Sequence, residues 1–378
     1  MRVGVIGLGA IGGCVASRLL AHPGGDTVAL AAGRHAEAVR LHGIGDRERR
    51  QPVPLVGATL PEAGAPYDLI LLCTRTDATA QALAPALPLL APDGAVVCLQ
   101  NGLPEEAAAR LAGPARVLGA VIGWSASASL SPRPEYWLTG GGKFTLGAFS
   151  PEATANVPRA AALLGRAFPV RVTDNLAGAR WSKLAMNCAM STLGAVSGLD
   201  LGQLAARADA REAALRVMAE VIAVGRARGV SFEPIAGLRP DLLLRLPRAA
   251  QHAAIWLAAR RRPRQKSGML VRLLEGRTAG QVDDLNGLVA RLAGDVGDAA
   301  PAGSAAHAGS AALAGSAAPA GSAAPAGSAA LAGSATPAGG APLNARLVAL
   351  VHAIERGEER IGPGHLAALV ASDSRGTL

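Results

Sequence analysis

Aromatic side chains are scarce in this sequence of 378 residues and make up only 3% of it. Proteins that bind single-stranded nucleic acids stack the bases on aromatic rings, so this scarcity speaks against that class of ligand. The net charge of +9 and the basic run Arg260–Lys266 would otherwise suggest nucleic-acid binding. The run lies at the edge of a helical pattern, where a solvated polar face is the usual explanation. We therefore predict no nucleic-acid partner, and anionic small molecules suit the basic surface better.

Cysteine is also rare. The four cysteines lie far apart within apolar stretches, at Cys14, Cys73, Cys98 and Cys188. No pair has the spacing of a metal site or a redox motif, and the seven histidines form no HExxH or clustered pattern. The sequence thus predicts buried thiols in a reducing compartment and no metal site.

Long hydrophobic runs are missing, although hydrophobic residues make up 50% of the chain and the mean hydropathy is +0.28. Much of that fraction is alanine, and no uncharged run of large aliphatic residues reaches the ~18 residues of a membrane span. The first apolar strand pattern starts at Val3, which leaves no room for a signal peptide before it. We expect a soluble cytoplasmic protein with no membrane partner.

The N-terminal part of the chain alternates short β-rich runs with amphipathic or alanine-rich stretches. The predicted strands are Arg2–Gly7, Thr27–Ala31, Asp68–Thr74, Ala95–Gln100, Val117–Ile122, Lys143–Gly147 and Val170–Thr173. The predicted helices between them are Ile11–Ala21, Thr76–Leu90, Glu105–Ala112 and Val157–Phe168. Strands that alternate with helices in this way indicate βαβ units and a parallel, doubly wound α/β sheet of the Rossmann type.

Strand patterns disappear after Asn175, and long helical patterns replace them. The predicted helices are Ala177–Val196, Arg211–Arg228, Pro240–Ala259, Gly268–Glu275, Gln281–Leu292 and Leu343–Arg356. We therefore predict a Rossmann-type domain at residues 1–174 and an all-α domain at residues 175–378. A homodimer is compatible with the sequence, in which no self-complementary surface is recognisable.

A hexapeptide repeat of the form Ala-Gly-Ser-Ala-Ala-Pro/Leu interrupts the helical part at about 298–341. A parallel β-helix also has a hexapeptide period, but it stacks large aliphatic residues, and only Leu313 and Leu331 are available here. Glycine, serine, alanine and proline bury too little apolar surface to offset the entropy of ordering. The repeat is predicted to be a disordered insert.

The N-terminus contains a glycine pattern that indicates a dinucleotide site. The strand Val3–Ile6 leads into Gly7-Leu8-Gly9-Ala10-Ile11-Gly12, a G-x-G-x-x-G turn that opens a helix. The first glycine permits the tight turn, the second lets the pyrophosphate approach the backbone, and the third lets the helix pack on the strand. The exposed N–H groups of the helix start then hold the phosphates. All six turn residues are predicted cofactor contacts.

The choice of nicotinamide cofactor depends on the end of the second strand. An NAD enzyme usually places an acid there to hold the ribose 2′-hydroxyl, whereas this chain has Arg34 and no acid. Arginine pairs bidentately with a phosphate, so the sequence favours NADPH over NADH. The alternative is that Arg34 is an ordinary surface arginine without a role in cofactor binding.

Two more segments lie where predicted strands end, which is the edge at which doubly wound sheets bind ligands. They carry Arg75 and Asn101, and the amide of Asn101 suits a nicotinamide ribose or carboxamide. A turn residue before glycine is the alternative for Asn101. Ser125 completes the set of predicted cofactor contacts.

The first helix after Asp174 carries a lysine suited to ketone reduction. Hydride addition develops negative charge on oxygen, so a reductase needs a proton donor beside it. Lys183, Asn187 and Ser191 stand four apart and share one face of the predicted helix, among apolar neighbours. Partial burial would lower the lysine pKa from its usual ~10.4 and make it a better acid near neutrality. By spacing alone, a surface lysine with a buried stem remains the simpler explanation.

In order along the chain, five motifs together resemble the ketopantoate reductase family. They are Gly7–Gly12, Gln100–Gly102, Trp181–Asn187, Ser267–Leu270 with Asp283–Gly287, and the closing pattern Pro342–Val351. The resemblance implies an NADPH-binding Rossmann domain, a helical domain and a cleft between them. It also implies that Lys183 is the general acid, that Asn187 binds the hydroxyl end of the substrate, and that Arg34, Arg75 and Asn101 contact the cofactor.

Three positions depart from the family pattern. Ser191 replaces a second substrate asparagine, Gly268 stands where a serine is usual, with Ser267 one residue earlier, and Gln281 stands where a glutamate is usual. Glutamine can hydrogen-bond but cannot act as a charged partner of the lysine. We count Asn187, Ser191, Ser267 and Gln281 as predicted substrate contacts.

The resulting hypothesis is NADPH-dependent reduction of 2-dehydropantoate to pantoate in pantothenate biosynthesis, with hydride transferred to the C2 ketone and a proton donated by Lys183. The departures keep a second hypothesis open, a reductase of another small 2-oxo acid. A third is an NADPH-binding sensor or scaffold without catalysis, since Gln281 replaces an acid and the repeat could serve as a tether.

Overall fold

The computed structural model describes residues 1–22, 24–45, 49–131, 133–235, 237–260, 262–298 and 340–371. The predicted disordered insert at about 298–341 lies outside the described residues, apart from residues 298, 340 and 341. Within the described residues, no helix is both long enough and apolar enough to cross a membrane.

Strands occupy the N-terminal part of the chain. They are β1 Arg2–Ile6, β2 Thr27–Ala31, β3 Ile44–Gly45, β4 Arg50–Gln51, β5 Leu55–Gly57, β6 Tyr67–Leu72, β7 Leu90–Cys98, β8 Val117–Ile122, β9 Ser125–Ser129, β10 Glu135–Gly140, β11 Phe144–Ala148 and β12 Val170–Val172. The α-helices among and after them are α1 Ala10–Ala21, α2 Ala36–His42, α3 Thr79–Leu83, α4 Glu105–Ala112, α5 Val157–Gly165, α6 Leu176–Met186, α7 Thr192–Ser197, α8 Leu201–Ala206, α9 Ala208–Ala227, α10 Pro240–Leu243, α11 Arg248–Ala259, α12 Gly268–Leu274, α13 Leu288–Asp298, α14 Pro342–Glu355 and α15 Gly364–Ala371.

An eight-stranded sheet forms the centre of the N-terminal part, in the order β12-β11-β8-β7-β6-β1-β2-β5. All neighbouring pairs are parallel except β11 with β8. Strands β1 and β8 are buried along their whole length, as expected for a sheet covered on both faces. This architecture confirms the predicted Rossmann-type sheet.

A second, four-stranded sheet in the order β4-β3-β10-β9 packs against α1. The ring of Tyr136 in β10 lies over Gly13, where a Cβ atom would come within 1.9 Å of the ring. The Tyr136 hydroxyl also donates to the carbonyl of Leu8 at 3.3 Å. The small sheet thus supports the glycine turn. None of the predicted strands corresponds to this sheet.

The chain after Val172 is helical in the described residues, apart from one isolated bridge between Ile235 and Leu238. Its apolar side chains, from Trp181 to Leu369, form one core cluster. A small cluster of Val121, Leu176 and Ala179 with Ile235 connects this part to the sheet. The predicted helical C-terminal region is confirmed.

Four of the predicted helices are interrupted. Proline breaks two of them: the stretch Thr76–Leu90 contains only one α-helical turn, α3, and Pro247 separates α10 from α11. The helices predicted over Ala177–Val196 and Gln281–Leu292 each contain a π-helical turn, at Asn187–Ser191 and Asp283–Gly287. Such turns are frequent at functional sites because the extra residue re-aims the side chains around it.

Candidate active site

The C-terminal ends of β1, β6 and β7 meet at one edge of the sheet, and the glycine turn that connects β1 to α1 lies at this edge. Gly7 has a φ of +94°, and a Cβ atom there would lie 2.9 Å from Thr74. A Cβ atom at Gly12 would lie 1.9 Å from the carbonyl oxygen of Gly7, so the helix start can pack this closely only without a side chain. The Cβ position of Gly9 has nothing within 4 Å, which leaves open space before the N-terminus of α1.

A pocket of about 370 Å³ lies beside this turn. Its walls include Gly7 and Leu8 from the turn, Leu60, and the segment Ala31–His35 at the end of β2. Arg34 is exposed at the rim, and its Nε donates to Nε2 of His35 at 3.2 Å. Burial and the charge of Arg34 lower the pKa of His35, which keeps that ring a neutral acceptor. The pocket therefore presents one guanidinium at the end of the second strand.

Gln100 fixes the neighbouring strand ends to each other, a role that its place in the motif Gln100–Gly102 did not predict. Its side-chain Nε2 donates to the Thr74 hydroxyl at 3.2 Å, the Arg75 carbonyl at 3.1 Å and the Thr79 hydroxyl at 2.9 Å. Arg75 itself is half exposed and forms a bidentate pair with Asp77. Asp77 already pairs with the guanidinium of Arg75. The cofactor contact predicted for Arg75 stays a prediction.

Lys183 lies on the last turns of α6, among residues that are almost all buried. Desolvation, followed by the positive charges of Arg262 and Arg180, lowers the pKa of Lys183 from its usual range to about 8. An ammonium with this pKa remains mostly protonated at neutral pH and gives up its proton more readily than a surface lysine. The environment expected from the sequence, apolar and partly buried, is present.

A chain of side-chain amides connects both halves of the protein next to α6. Asn101, which follows β7, donates from Nδ2 to Oε1 of Gln281 at 3.2 Å. Asn187, at the start of the π-helical turn, lies with its Nδ2 3.5 Å from Oδ1 of Asn101. The structure therefore brings together one predicted cofactor residue and two predicted substrate residues, separated by up to 180 positions in sequence.

A buried ion pair holds α6 against the sheet one turn before Lys183. Arg180 donates from Nε to Oε1 of Glu105 at 2.7 Å, and also donates to the carbonyls of Gln100 at 2.7 Å and Cys98 at 2.8 Å. The side chains of Arg180 and Glu105 are only 4% and 5% exposed. The sequence offers no signal for this pair, because Arg180 is one of many arginines and its partners are distant in the chain.

A second buried network supports the π-helical turn that follows Lys183. Asn286 donates to the carbonyl of Cys188 at 3.1 Å and to Oδ1 of Asn344 at 2.8 Å, and it lies 2.6 Å from the hydroxyl of Thr192. Asn344 donates to a carboxylate oxygen of Glu220 at 2.7 Å. The extra residue of the π-helical turn leaves backbone groups without regular partners. Asn286 supplies a partner for one of them, the carbonyl of Cys188.

The remaining predicted residues have varied surroundings. Ser267 caps α12, because its hydroxyl accepts from the N–H of Leu270 at 3.1 Å. Ser191 is the last residue of the π-helical turn. The prediction that Lys183, Asn187 and Ser191 share one face of a regular α-helix is therefore wrong for Ser191. The hydroxyl of Ser125, in the first position of β9, is buried and has no hydrogen-bond partner among the described residues. Substrate contacts by Ser191 and Ser267 stay predictions.

The basic run Arg260–Lys266 is not uniformly a solvated helix face. Arg260 stacks on the ring of Trp256 at 4.6 Å, whereas Arg262 is half-buried and donates to the carbonyl of Gly141. The interpretation as a purely solvated face is therefore wrong for Arg262. Within the described part of the chain, no group of three or more His, Cys, Asp or Glu side chains is placed to hold a metal ion.

Two family models match the chain. Residues 3–151 match the model described as ketopantoate reductase PanE/ApbA, and residues 175–308 match its C-terminal counterpart. A 2-dehydropantoate 2-reductase of Mesorhizobium japonicum is 28% identical over 263 residues, which cover 61% of this chain and 78% of that protein. Its counterpart in Halobacterium salinarum is 28% identical and covers 80% of this chain and 95% of that protein.

Solved structures show the same fold over nearly the whole length. A PanE/ApbA family ketopantoate reductase from Ralstonia eutropha superimposes with a TM-score of 0.68 at 26% identity, and covers 95% of this chain and 99% of that one. With the two family models, which match both halves, this similarity accounts for the glycine turn, for the helix that carries Lys183 and for the segment that carries Gln281. The chain therefore belongs to the ketopantoate reductase family of pyridine-nucleotide-dependent oxidoreductases.

Proposed function

We propose that this protein reduces 2-dehydropantoate to pantoate with NADPH, and that Lys183 donates the proton. The observation that carries the proposal is the position of Lys183, a lysine with a pKa of about 8, one helical turn before Asn187 in the amide chain Gln281–Asn101–Asn187. Asn101 belongs to the cofactor edge of the sheet, and the other two residues belong to the helical part. A lysine and amides in that position can hold a polar substrate against a nicotinamide.

The residues around the glycine turn fit a dinucleotide. The open space at Gly9, the close approach at Gly12 and the unpaired N–H groups at the start of α1 suit a pyrophosphate. The pocket next to Leu8 and Leu60 suits the adenine end, and Arg34 at its rim suits a 2′-phosphate. When bound, the reduced nicotinamide supplies the hydride that the chain cannot provide.

The chain's own residues position the ketone and the proton. Lys183 donates its proton to the developing alkoxide, since its lowered pKa makes the transfer less uphill than from an ordinary lysine. Asn187 presents an amide able to bind a substrate hydroxyl, and Gln281 keeps the Asn101 amide oriented. The buried ion pair of Arg180 and Glu105 prevents α6 from moving away from the cofactor edge.

One observation favours another 2-oxo acid as a second candidate. At Gly268, where the family pattern has a serine, the Cβ position has nothing within 4 Å. Gly268 is the first residue of α12, so this end of the helix lacks the hydrogen-bonding side chain that a serine would supply. A D-mandelate dehydrogenase solved with NADH and anilino(oxo)acetate shares the fold at a TM-score of 0.70, although at 18% identity it supports the fold alone.

An assay of the purified protein tests the proposed function. We expect NADPH absorbance to fall upon addition of 2-dehydropantoate, and kcat/KM for it to exceed that for other 2-oxo acids by orders of magnitude. A panel of branched and aromatic 2-oxo acids measured in parallel separates the two candidate substrates. A complete lack of NADPH oxidation with the entire panel would contradict both and support a non-catalytic nucleotide sensor.

Replacing Arg34 tests the preference for NADPH. In Arg34→Ala, we expect KM for NADPH to rise about 10- to 100-fold and KM for NADH to change less than about threefold, because only NADPH loses a charge-assisted phosphate contact. Steady-state kinetics with both cofactors give the ratio directly. Arg40→Ala, which removes an exposed arginine of α2, is the matched control. An equal loss for both cofactors would contradict the assignment.

A further inference from the structure

Arg262 stands out among the basic residues around the site because it is half-buried and its guanidinium reaches Gly140 and Gly141, which are 121 or more positions earlier in the chain. Its Nη2 donates to the carbonyl of Gly141, and its Nη1 lies 2.8 Å from the position that a Cβ atom of Gly140 would occupy. The hydroxyl of Ser125 lies 2.9 Å from that same position. The missing side chain at Gly140 thus leaves a small space that the guanidinium and the unpaired Ser125 hydroxyl both border.

The loop that carries Arg262 is fixed rather than free. The carbonyl of Pro263 accepts from the N–H of Gly202 at 2.7 Å, and the carbonyl of Gln265 accepts from the N–H of Leu201 at 3.0 Å. The N–H of Gln265 in turn donates to the carbonyl of Arg262 at 3.1 Å. These bonds anchor the loop on the start of α8, so the guanidinium is held in place before any ligand arrives.

The charge around Arg262 is unbalanced. Its positive charge is close enough to lower the pKa of Lys183, and no carboxylate pairs with it in the part of the chain that the structure describes. Arg180, the other cation near the lysine, is neutralised by Glu105. The positive charges of Lys183 and Arg262 repel each other, and an anion bound near both would offset that repulsion. The arrangement suits a small anionic ligand.

We propose that Arg262 binds the carboxylate of the substrate, so that it selects 2-oxo acids over neutral ketones. This inference rests on the proposed function and deepens it. In a 2-oxo acid the carboxylate is bonded directly to the carbonyl carbon. A cation that binds the carboxylate must therefore lie close to the cation that donates a proton to the carbonyl oxygen. In this arrangement Lys183 would face the carbonyl oxygen and Arg262 the carboxylate. Ser125 follows the C-terminal end of β8, which runs parallel to β7, so the guanidinium beside it stands at the same edge of the sheet as Asn101.

A charge-discrimination experiment tests the proposal. We would measure kcat/KM of the wild type, Arg262→Ala and Arg264→Ala with 2-dehydropantoate and with its neutral methyl ester. We expect Arg262→Ala to lower the acid-to-ester ratio about 30- to 1000-fold, mainly through KM of the acid, because a charge-assisted contact is lost only for the acid. Arg264→Ala removes an exposed arginine of the same loop and should leave the ratio within about threefold.

Fluorescence titration with NADPH distinguishes a role in cofactor binding. We expect the Kd for NADPH to be the same within about threefold in Arg262→Ala and the wild type. If the acid-to-ester ratio is unchanged in Arg262→Ala, the proposal is overturned. If the ratio is unchanged and NADPH binds more weakly, Arg262 contacts the cofactor instead of the substrate. If the wild type reduces the ester and no acid, or neither compound, the proposed function fails and the inference fails with it.

Discussion

Lys183→Ala is expected to lower kcat by about 10²- to 10⁴-fold, which is the usual contribution of a positioned general acid. The lysine is the protonated group one turn before Asn187 in the amide chain Gln281–Asn101–Asn187, and an amide side chain cannot replace its proton at neutral pH. The pocket beside the glycine turn does not include Lys183, so the Kd for NADPH should stay within about threefold. Stopped-flow or steady-state kinetics, together with NADPH fluorescence titration, measure the two effects separately.

The control for this substitution is Lys143→Ala, because the chain has only three lysines and Lys143 is exposed. It should keep wild-type kinetics. The pH profile is a second readout: the acid must be protonated, so kcat/KM should fall above pH ~8, by about tenfold for each pH unit. In Arg262→Ala that limb should move to higher pH, since a neighbouring positive charge is lost. Undiminished turnover in Lys183→Ala would rule out its role as the proton donor.

Removing one partner of the Arg180–Glu105 pair is expected to have the largest effect on stability. Arg180→Met leaves a carboxylate that is 5% exposed without its cation, and Glu105→Leu leaves an uncompensated guanidinium. A buried charge that loses its partner costs about 3–5 kcal/mol of the free energy of unfolding. Arg180→Met also removes the donors to the carbonyls of Gln100 and Cys98. Denaturant unfolding followed by circular dichroism gives the change.

The double variant Arg180→Met with Glu105→Leu tests whether the charges themselves cause the loss. With both ions gone, we expect it to be more stable than either single variant, because no unpaired charge remains buried. The exposed pair Arg277–Glu275 is the matched control, and Arg277→Ala should leave the unfolding midpoint almost unchanged. Additive losses in the double variant would show that packing, rather than the ion pair, determines the stability of this contact.

The strongest features of the fold could be predicted from local sequence. The strand before Gly7, the helix after it and the strand Val117–Ile122 have long apolar patterns and clear turn signals, and the structure confirms them. Strand β9 was not predicted because its sequence of serine and alanine has low β-propensity. It forms because it pairs with β10 and packs on α1, a tertiary effect that no local pattern contains.

The candidate site was predictable in its residues more than in its contacts. Lys183, Asn101 and Gln281 were identified from motifs and from family resemblance, and the distances between the two amides could come only from the structure. Arg262 was hidden because a run of arginines is typical of a solvated surface. The π-helical turns could not be predicted either, since one extra residue in the hydrogen bonding leaves no trace in the hydrophobic pattern.

The network from Asn344 through Asn286 to the carbonyl of Cys188 has a consequence for the order in which activity appears during protein synthesis. The ribosome completes the sheet and its glycine turn first, and such an N-terminal unit can fold while the rest is being made. Lys183 also emerges long before Asn344, yet the turn that follows it gains its support only when α14 has been synthesised and docked. On the proposed function, the nascent chain should therefore bind nucleotide before it can reduce a substrate.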